Sequence, residues 1–209
     1  MRRLLSLAVL VLGTCAAVAN AGLTWTTSES FQQTSNSPCI IGNNSCTNDG
    51  FPYTVITVTG SSYTTSSPEY TVGQLAAKFG VLSFSVGIDV NSAGNSIEVL
   101  EYFRTFINNS LSDAYSYEEP TNIAVTNPGN GWSDAVLNGL SFESLQPSDE
   151  VYFTASVSNE TAGLDQFFLI PREGGGGGGA EIPEPGTVIL MGAGLGVLAL
   201  LLRRRRSAA

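Results

Sequence analysis

Apolar residues along this chain follow two distinct patterns. An apolar run spans residues 4–12 near the start and another spans residues 188–202 near the end. Between them, apolar and polar positions alternate in short stretches, as expected of half-buried strands. The clearest is 81–90, where Phe84, Val86, Ile88 and Val90 face one way and Ser83, Ser85, Gly87 and Asp89 the other. A turn over 91–96 predicts 97–107 as its returning hairpin partner. Val151, Phe153, Ala155 and Val157 alternate with Tyr152, Thr154 and Ser156, and 165–171 is expected to pair back with them across a turn at 158–164. Residues 135–145 read as another strand, with shorter ones at 23–28 and 53–59. Residues 29–52 read as loop and 61–67 as a polar turn. Periodicity leaves 72–78 open between one helical turn and an irregular strand. About eight short strands with turn signals between them predict an all-β fold, a two-sheet β-sandwich of jelly-roll type.

The first apolar run follows Arg2 and Arg3 and leads into small residues ending at Ala21. A basic start, a short apolar middle and a small-residue end describe a secretory signal peptide. Cuts after Ala19 and after Ala21 both satisfy the small-x-small rule, and the second is adopted, giving a signal peptide over 1–21 and an ectodomain over 22–172. Thr14 directly before Cys15 makes a poor lipoprotein box.

Charge changes the picture once the ends are set aside. Of the nine basic residues, Lys78, Arg104 and Arg172 alone lie between the two terminal segments. All eighteen carboxylates lie between Glu29 and Glu184, so residues 22–184 carry a net charge of −15. Such a chain repels phosphates, which excludes nucleic acid as a partner, and it favours cations. Cys39 and Cys46 flank a short turn-rich loop, and in an exported chain they are expected to form a disulfide. Chain entropy values so short a loop at roughly 2.5 kcal/mol.

The end of the chain has its own order. A glycine-rich linker over 173–181 precedes Pro183, Glu184 and Pro185, which hold the backbone extended because neither proline offers an N–H. An uncharged stretch over 187–202 follows, with a reach of roughly 24 Å as a helix, a little short of a hydrocarbon core. Arg203, Arg204, Arg205 and Arg206 then form a basic stop-transfer tail.

Residues 182–206 resemble the PEP-CTERM sorting signal of Gram-negative bacteria. The resemblance implies a transmembrane helix over about 187–202, a basic tail over 203–206, and recognition by an exosortase, a membrane cysteine protease-transpeptidase. It implies a precursor held transiently in the inner membrane and a product at the cell surface or in the extracellular matrix. The runs at 84–91 and 151–153 look like parts of the β-sandwich ectodomains common among such proteins.

The chain contains no histidine, which removes Ser-His-Asp and Cys-His catalysis and leaves no complete zinc shell. Paired carboxylates would suffice for glycoside hydrolysis. Glu98 and Glu101, however, fall on opposite strand faces, and Glu118-Glu119 and Asp149-Glu150 read as solvated charges. Asp89-x-Asn91 begins like a calcium loop, but Ala93 occupies a ligand position and Leu100 stands where the bidentate glutamate belongs. Asp89 and Asn91 are therefore expected to cap a hairpin turn, and loss of the Asp89 carboxylate to be mild. No metal, cofactor or catalytic residue is predicted. Tyr63, Tyr70, Tyr102, Tyr115, Tyr117 and Trp132 are candidates for a sugar-stacking platform, although strand aromatics more often pack a core. The expected role is structural or adhesive, within an extracellular polysaccharide layer and without enzymatic activity. A carbohydrate-binding module is the alternative, and a glycan-active enzyme the third reading.

Overall fold

The structure, a computed structural model, describes residues 21–57, 61–91, 97–110, 112–125, 131–160 and 164–173. The predicted signal peptide up to residue 20, the glycine-rich linker from residue 174 and the sorting segment lie outside these residues. Two sheets enclose one core. The first sheet runs β1 (Ala21–Gly22), β9 (Tyr115–Tyr117), β8 (Glu98–Ile107), β12 (Glu150–Ser158) and β5 (Ser62–Ser66). Two short strands join it, β10 (Thr121–Ile123) on β8 and β6 (Tyr70–Thr71) on β12. The second sheet runs β2 (Thr24–Thr26), β11 (Ala135–Ser141), β7 (Ser83–Asp89), β13 (Gln166–Pro171), β3 (Cys39–Gly42) and β4 (Thr54–Val55).

The alternation read from the sequence sets the inner faces. Leu100 and Phe103 of β8 and Val151, Phe153, Ala155 and Val157 of β12 meet Phe84, Val86 and Ile88 of β7 and Phe167 and Leu169 of β13. Phe103 stacks on Phe167 across the two sheets, with ring centroids 6.1 Å apart. Burying each such side chain contributes roughly 1.5–3 kcal/mol.

The expected hairpins do not form. β7 pairs with β11 and β13, whereas β8 lies in the other sheet, against β9, β10 and β12. β12 and β13 are likewise split between the sheets. Alternation states which face of a strand is buried but not which strand lies beside it. Here each connection crosses the sandwich, and both strands still bury their apolar faces.

Other segments also differ from expectation. Residues 62–66, read as turn, form the edge strand β5, whose hydroxyls bond across to β12: Thr64 to Ser156 at 3.0 Å and Ser66 with Thr154 at 3.0 Å. Within 29–52, read as loop, β3 is buried throughout. Of the strand expected at 53–59, β4 retains Thr54–Val55. The ambiguous stretch is a helix, α1 (Val72–Phe79), opened by a reciprocal Thr71–Gln74 capping box and closed by left-handed Gly80. β1 begins at Ala21, so a cut after Ala19 keeps its pairing to Tyr115 and a cut after Ala21 removes it.

A second, smaller apolar layer covers the outer face of the second sheet. Cys39, Val136, Phe168 and Ile170 pack there beneath Phe31, Cys46 and Tyr53. The covering segment is pinned by Asn48, which accepts from Cys39 N at 3.0 Å and donates to Cys39 O at 2.9 Å. Arg172 lies over the Phe31 ring at 4.6 Å and pairs with Glu29. The result is that β7 is buried on both faces.

Gly87 shows how close that packing is. A Cβ there would run into the Phe168 ring. Gly87→Ala should lower stability by about 1–3 kcal/mol through overpacking. Phe168→Leu in the same chain should recover part of the loss, as read by chemical unfolding. Equal stability of Gly87→Ala and wild type would refute the close approach.

Candidate functional site

The ends of four strands bring a group of acids together. β7 ends at Asp89, β13 begins beside Asp165, β8 begins at Glu98, and Asp134 leads into β11. Asp89, Glu98, Asp134 and Asp165 are all buried, at 2%, 0%, 1% and 0% exposure. Strand alternation sets two of them between the sheets, Glu98 and Asp165, and two on the covered outer face of the second sheet, Asp89 and Asp134. Glu98 shares the inner face with Leu100, and Asp165 precedes Gln166 and inward Phe167.

Asp165 is the hub. The Tyr63 hydroxyl from β5 donates to its Oδ2 at 2.7 Å, Asn91 N donates to its Oδ1 at 3.3 Å, and the Glu98 carboxyl lies within hydrogen-bonding reach. Burial raises the Asp165 pKa, and these hydrogen bonds oppose the rise. Burial, reinforced by the Asp165 charge, also lifts the Tyr63 hydroxyl well above the usual tyrosine value.

On the other side of the sheet, Gly131 N donates to Asp89 Oδ2 at 2.6 Å. Val90 N donates to Asp134 Oδ2 at 3.1 Å. Burial pushes Asp89 up to about 7; the Gly131 bond lowers it, and the Asp134 and Asp165 charges raise it further. Glu160, beyond β12, is also raised, first by burial and then by Asp165. Leu164 O accepts from Asn91 Nδ2 at 2.9 Å and from Asn43 Nδ2 at 2.5 Å, joining this end to the disulfide loop. Gln166 Nε2 donates to Ser45 Oγ at 3.0 Å in the same loop.

The sequence-level candidates fall out unevenly. Cys39 and Cys46 are bonded to each other. Glu98 and Glu101 do lie on opposite faces, with Glu101 accepting from Ser158 on the outer face. Glu118 is solvated and pairs with Arg104 at 2.7 Å, and Asp149 accepts from Asn108 at 3.0 Å. Asp89 is more than a turn cap, because its buried carboxyl holds Gly131 from a distant segment. Asn91 likewise ties β7 to Leu164. No sequence spacing announced Asp134, Asp165 or Tyr63 as their companions. Among the described residues, no group of three or more acids, cysteines or histidines is arranged to hold a metal ion.

The proposed aromatic platform does not assemble. Tyr70 and Tyr117 are buried, and Tyr63 and Tyr115 pack against the core, which leaves Tyr102 and Trp132 toward solvent. The outer face of the first sheet carries rings that the sequence reading left out. Phe106 stacks on Tyr152 with centroids 4.9 Å apart, and Arg104 lies 4.1 Å over the Tyr102 ring. Thr154 and Ser156 of β12 extend that face toward the hydroxyl row of β5.

The described residues thus form a disulfide-tied β-sandwich with one acidic, buried end and one solvated sheet face. Residues 181–206 match the PEP-CTERM protein-sorting motif, which marks exosortase-sorted export to the cell surface of a Gram-negative bacterium. No curated protein and no solved structure matches the chain. The motif residues Pro183, Glu184 and Pro185 and the tail Arg203 to Arg206 lie outside the described residues. No helix among the described residues is long and apolar enough to cross a membrane.

Asp89→Ala should therefore cost stability rather than be mild. It leaves the buried Gly131 N–H without its acceptor, at about 1–3 kcal/mol. Chemical unfolding of wild type and variant measures the difference, and a change of a few tenths of a kcal/mol would return Asp89 to a turn-capping role.

Proposed function

We propose that this chain is a non-catalytic ectodomain exported by its signal peptide, held briefly in the inner membrane and released by an exosortase. Its role is structural or adhesive within an extracellular polysaccharide layer. The match at 181–206 supports the export and sorting in this reading. On this reading the processing enzyme recognises Pro183, Glu184 and Pro185, the apolar stretch 187–202 serves as the transient membrane anchor, and Arg203 to Arg206 serve as its stop signal. The disulfide and the doubly covered β7 suit a domain that must persist outside the cell.

A second reading, carbohydrate binding, is favoured by the outer face of the first sheet. Tyr102, Phe106 and Tyr152 offer ring surface, and Thr154, Ser156 and Thr64 offer hydroxyls, the two chemistries that sugar rings engage. Tyr152→Ala should then abolish retention on an immobilised neutral polysaccharide while the melting temperature stays near wild type. Equal retention of both proteins would remove this reading.

Sorting is tested in the native host by replacing Pro183, Glu184 and Pro185 with alanines. Hydrophobicity and the arginine stop survive that change, so a plain anchor would behave as wild type. An exosortase substrate should instead accumulate as membrane-held precursor, with a matching loss of surface product. Identical processing of the two chains would leave an ordinary anchored ectodomain.

A further inference from the structure

Among the described residues, the acidic end holds no lysine or arginine. Residues 22–182 hold three basic side chains. Arg104 pairs with Glu118 on the outer sheet face, Arg172 pairs with Glu29 at the far end of β13, and Lys78 sits in the last turn of α1. That helix feeds the start of β7, opposite Asp89. The stretches 58–60, 92–96, 126–130 and 161–163, which lie outside the described residues, contain no charged residue. Among the described residues, the groups facing the Glu98–Asp165 contact are therefore acidic or neutral. They are Tyr63 from β5, Asp89 and Asn91 from β7 and its exit, Asp134 ahead of β11, Glu160 beyond β12, and Ile123 of β10 opposite Glu98.

Two ionised carboxylates offer acceptors only, so two buried carboxyl groups in hydrogen-bonding reach hold a proton between them. We propose that this end of the sandwich is a proton-held latch, in which the proton shared by Glu98 of one sheet and Asp165 of the other joins the sheets, and its release to solvent as the pH rises loosens them. Release leaves two buried anions facing each other where one hydrogen bond had been. The neighbouring acids act in the same direction. Burial carries Asp89 from an ordinary carboxylate value up to about 7, and it also raises Asp165 and Glu160. Groups whose folded-state values lie above their unfolded ones stabilise fully below about pH 4. That contribution is lost as the pH climbs toward the folded value, about 7 for Asp89. The domain is thus held more firmly in mildly acidic surroundings than at neutrality.

The test uses the full chain in mild detergent with a chelator, melted at about pH 5 and about pH 8 and followed by tryptophan fluorescence. Wild type should melt lower at the higher pH by on the order of 5 °C or more. Glu98→Gln keeps a donor for Asp165 without a titrating proton. It should lose at least about half of that fall and melt above wild type at about pH 8. Glu119→Gln, which removes an exposed charge, should keep the wild-type fall. Should Glu98→Gln fail to fold at either pH, Asp165→Asn is read by the same criterion. A wild-type melting temperature that is flat or rises with pH would overturn the latch, as would a wild-type fall in the folded amide variant. So would millimolar calcium chloride returning wild type at about pH 8 to its melting temperature at about pH 5, because the end would then be a cation site.

Discussion

Burial of β7 on both faces is the constraint from which the rest of the ectodomain follows. One face packs Phe84, Val86 and Ile88 into the space between the sheets. The other presents small or polar residues, and an outer strand face of that kind would ordinarily meet water. Here Phe168 lies across Gly87, and the segment from Glu29 to Asn48 closes over both. A backbone buried this way needs all its polar groups satisfied. β11 and β13 supply the ladder on either side. The covering segment in turn needs fixing to the sheet, and the disulfide, the Asn48 bonds and the Arg172–Glu29 pair each tie it at a different point.

Charge imposes the second constraint, because acids far outnumber bases in the ectodomain. Most carboxylates solve this by solvation, as Glu118, Glu119 and Glu150 do. Asp89, Glu98, Asp134 and Asp165 do not, and burying an ionised carboxylate without compensation costs several kcal/mol. Backbone N–H groups of Gly131, Val90 and Asn91 and the Tyr63 hydroxyl offset part of that cost. They do so asymmetrically. Asp134 and Asp89 are fastened on the covered side of the second sheet, whereas Glu98 and Asp165 meet between the sheets, where few donors reach.

How much of this was legible depended on range. The disulfide was readable because its two cysteines lie in one short loop. β7, β8 and β12 were readable because an inward apolar row leaves a period-2 trace. Their pairing was not, since a crossing connection and a hairpin turn have the same polar composition. β5 escaped notice because its outer row faces water and its inner row is Tyr63 and Thr65, so no apolar alternation marks it. β3 escaped because it is buried on both faces within a polar stretch. The acidic end was the least legible feature. Glu98 and Asp165 are far apart in sequence, and each looks like an ordinary strand-end acid until the fold places one over the other.

The topology also separates the acidic end from the end at which the chain leaves the sandwich. β13 runs from the acidic end to Pro171, and Arg172 N donates to Ser83 O at the start of β7. The chain therefore leaves the sandwich at the end opposite the carboxyl group, on its way to Pro183. β7 runs from Ser83 to Asp89, so the whole length of that strand separates the chain's exit from the buried acids at the other end.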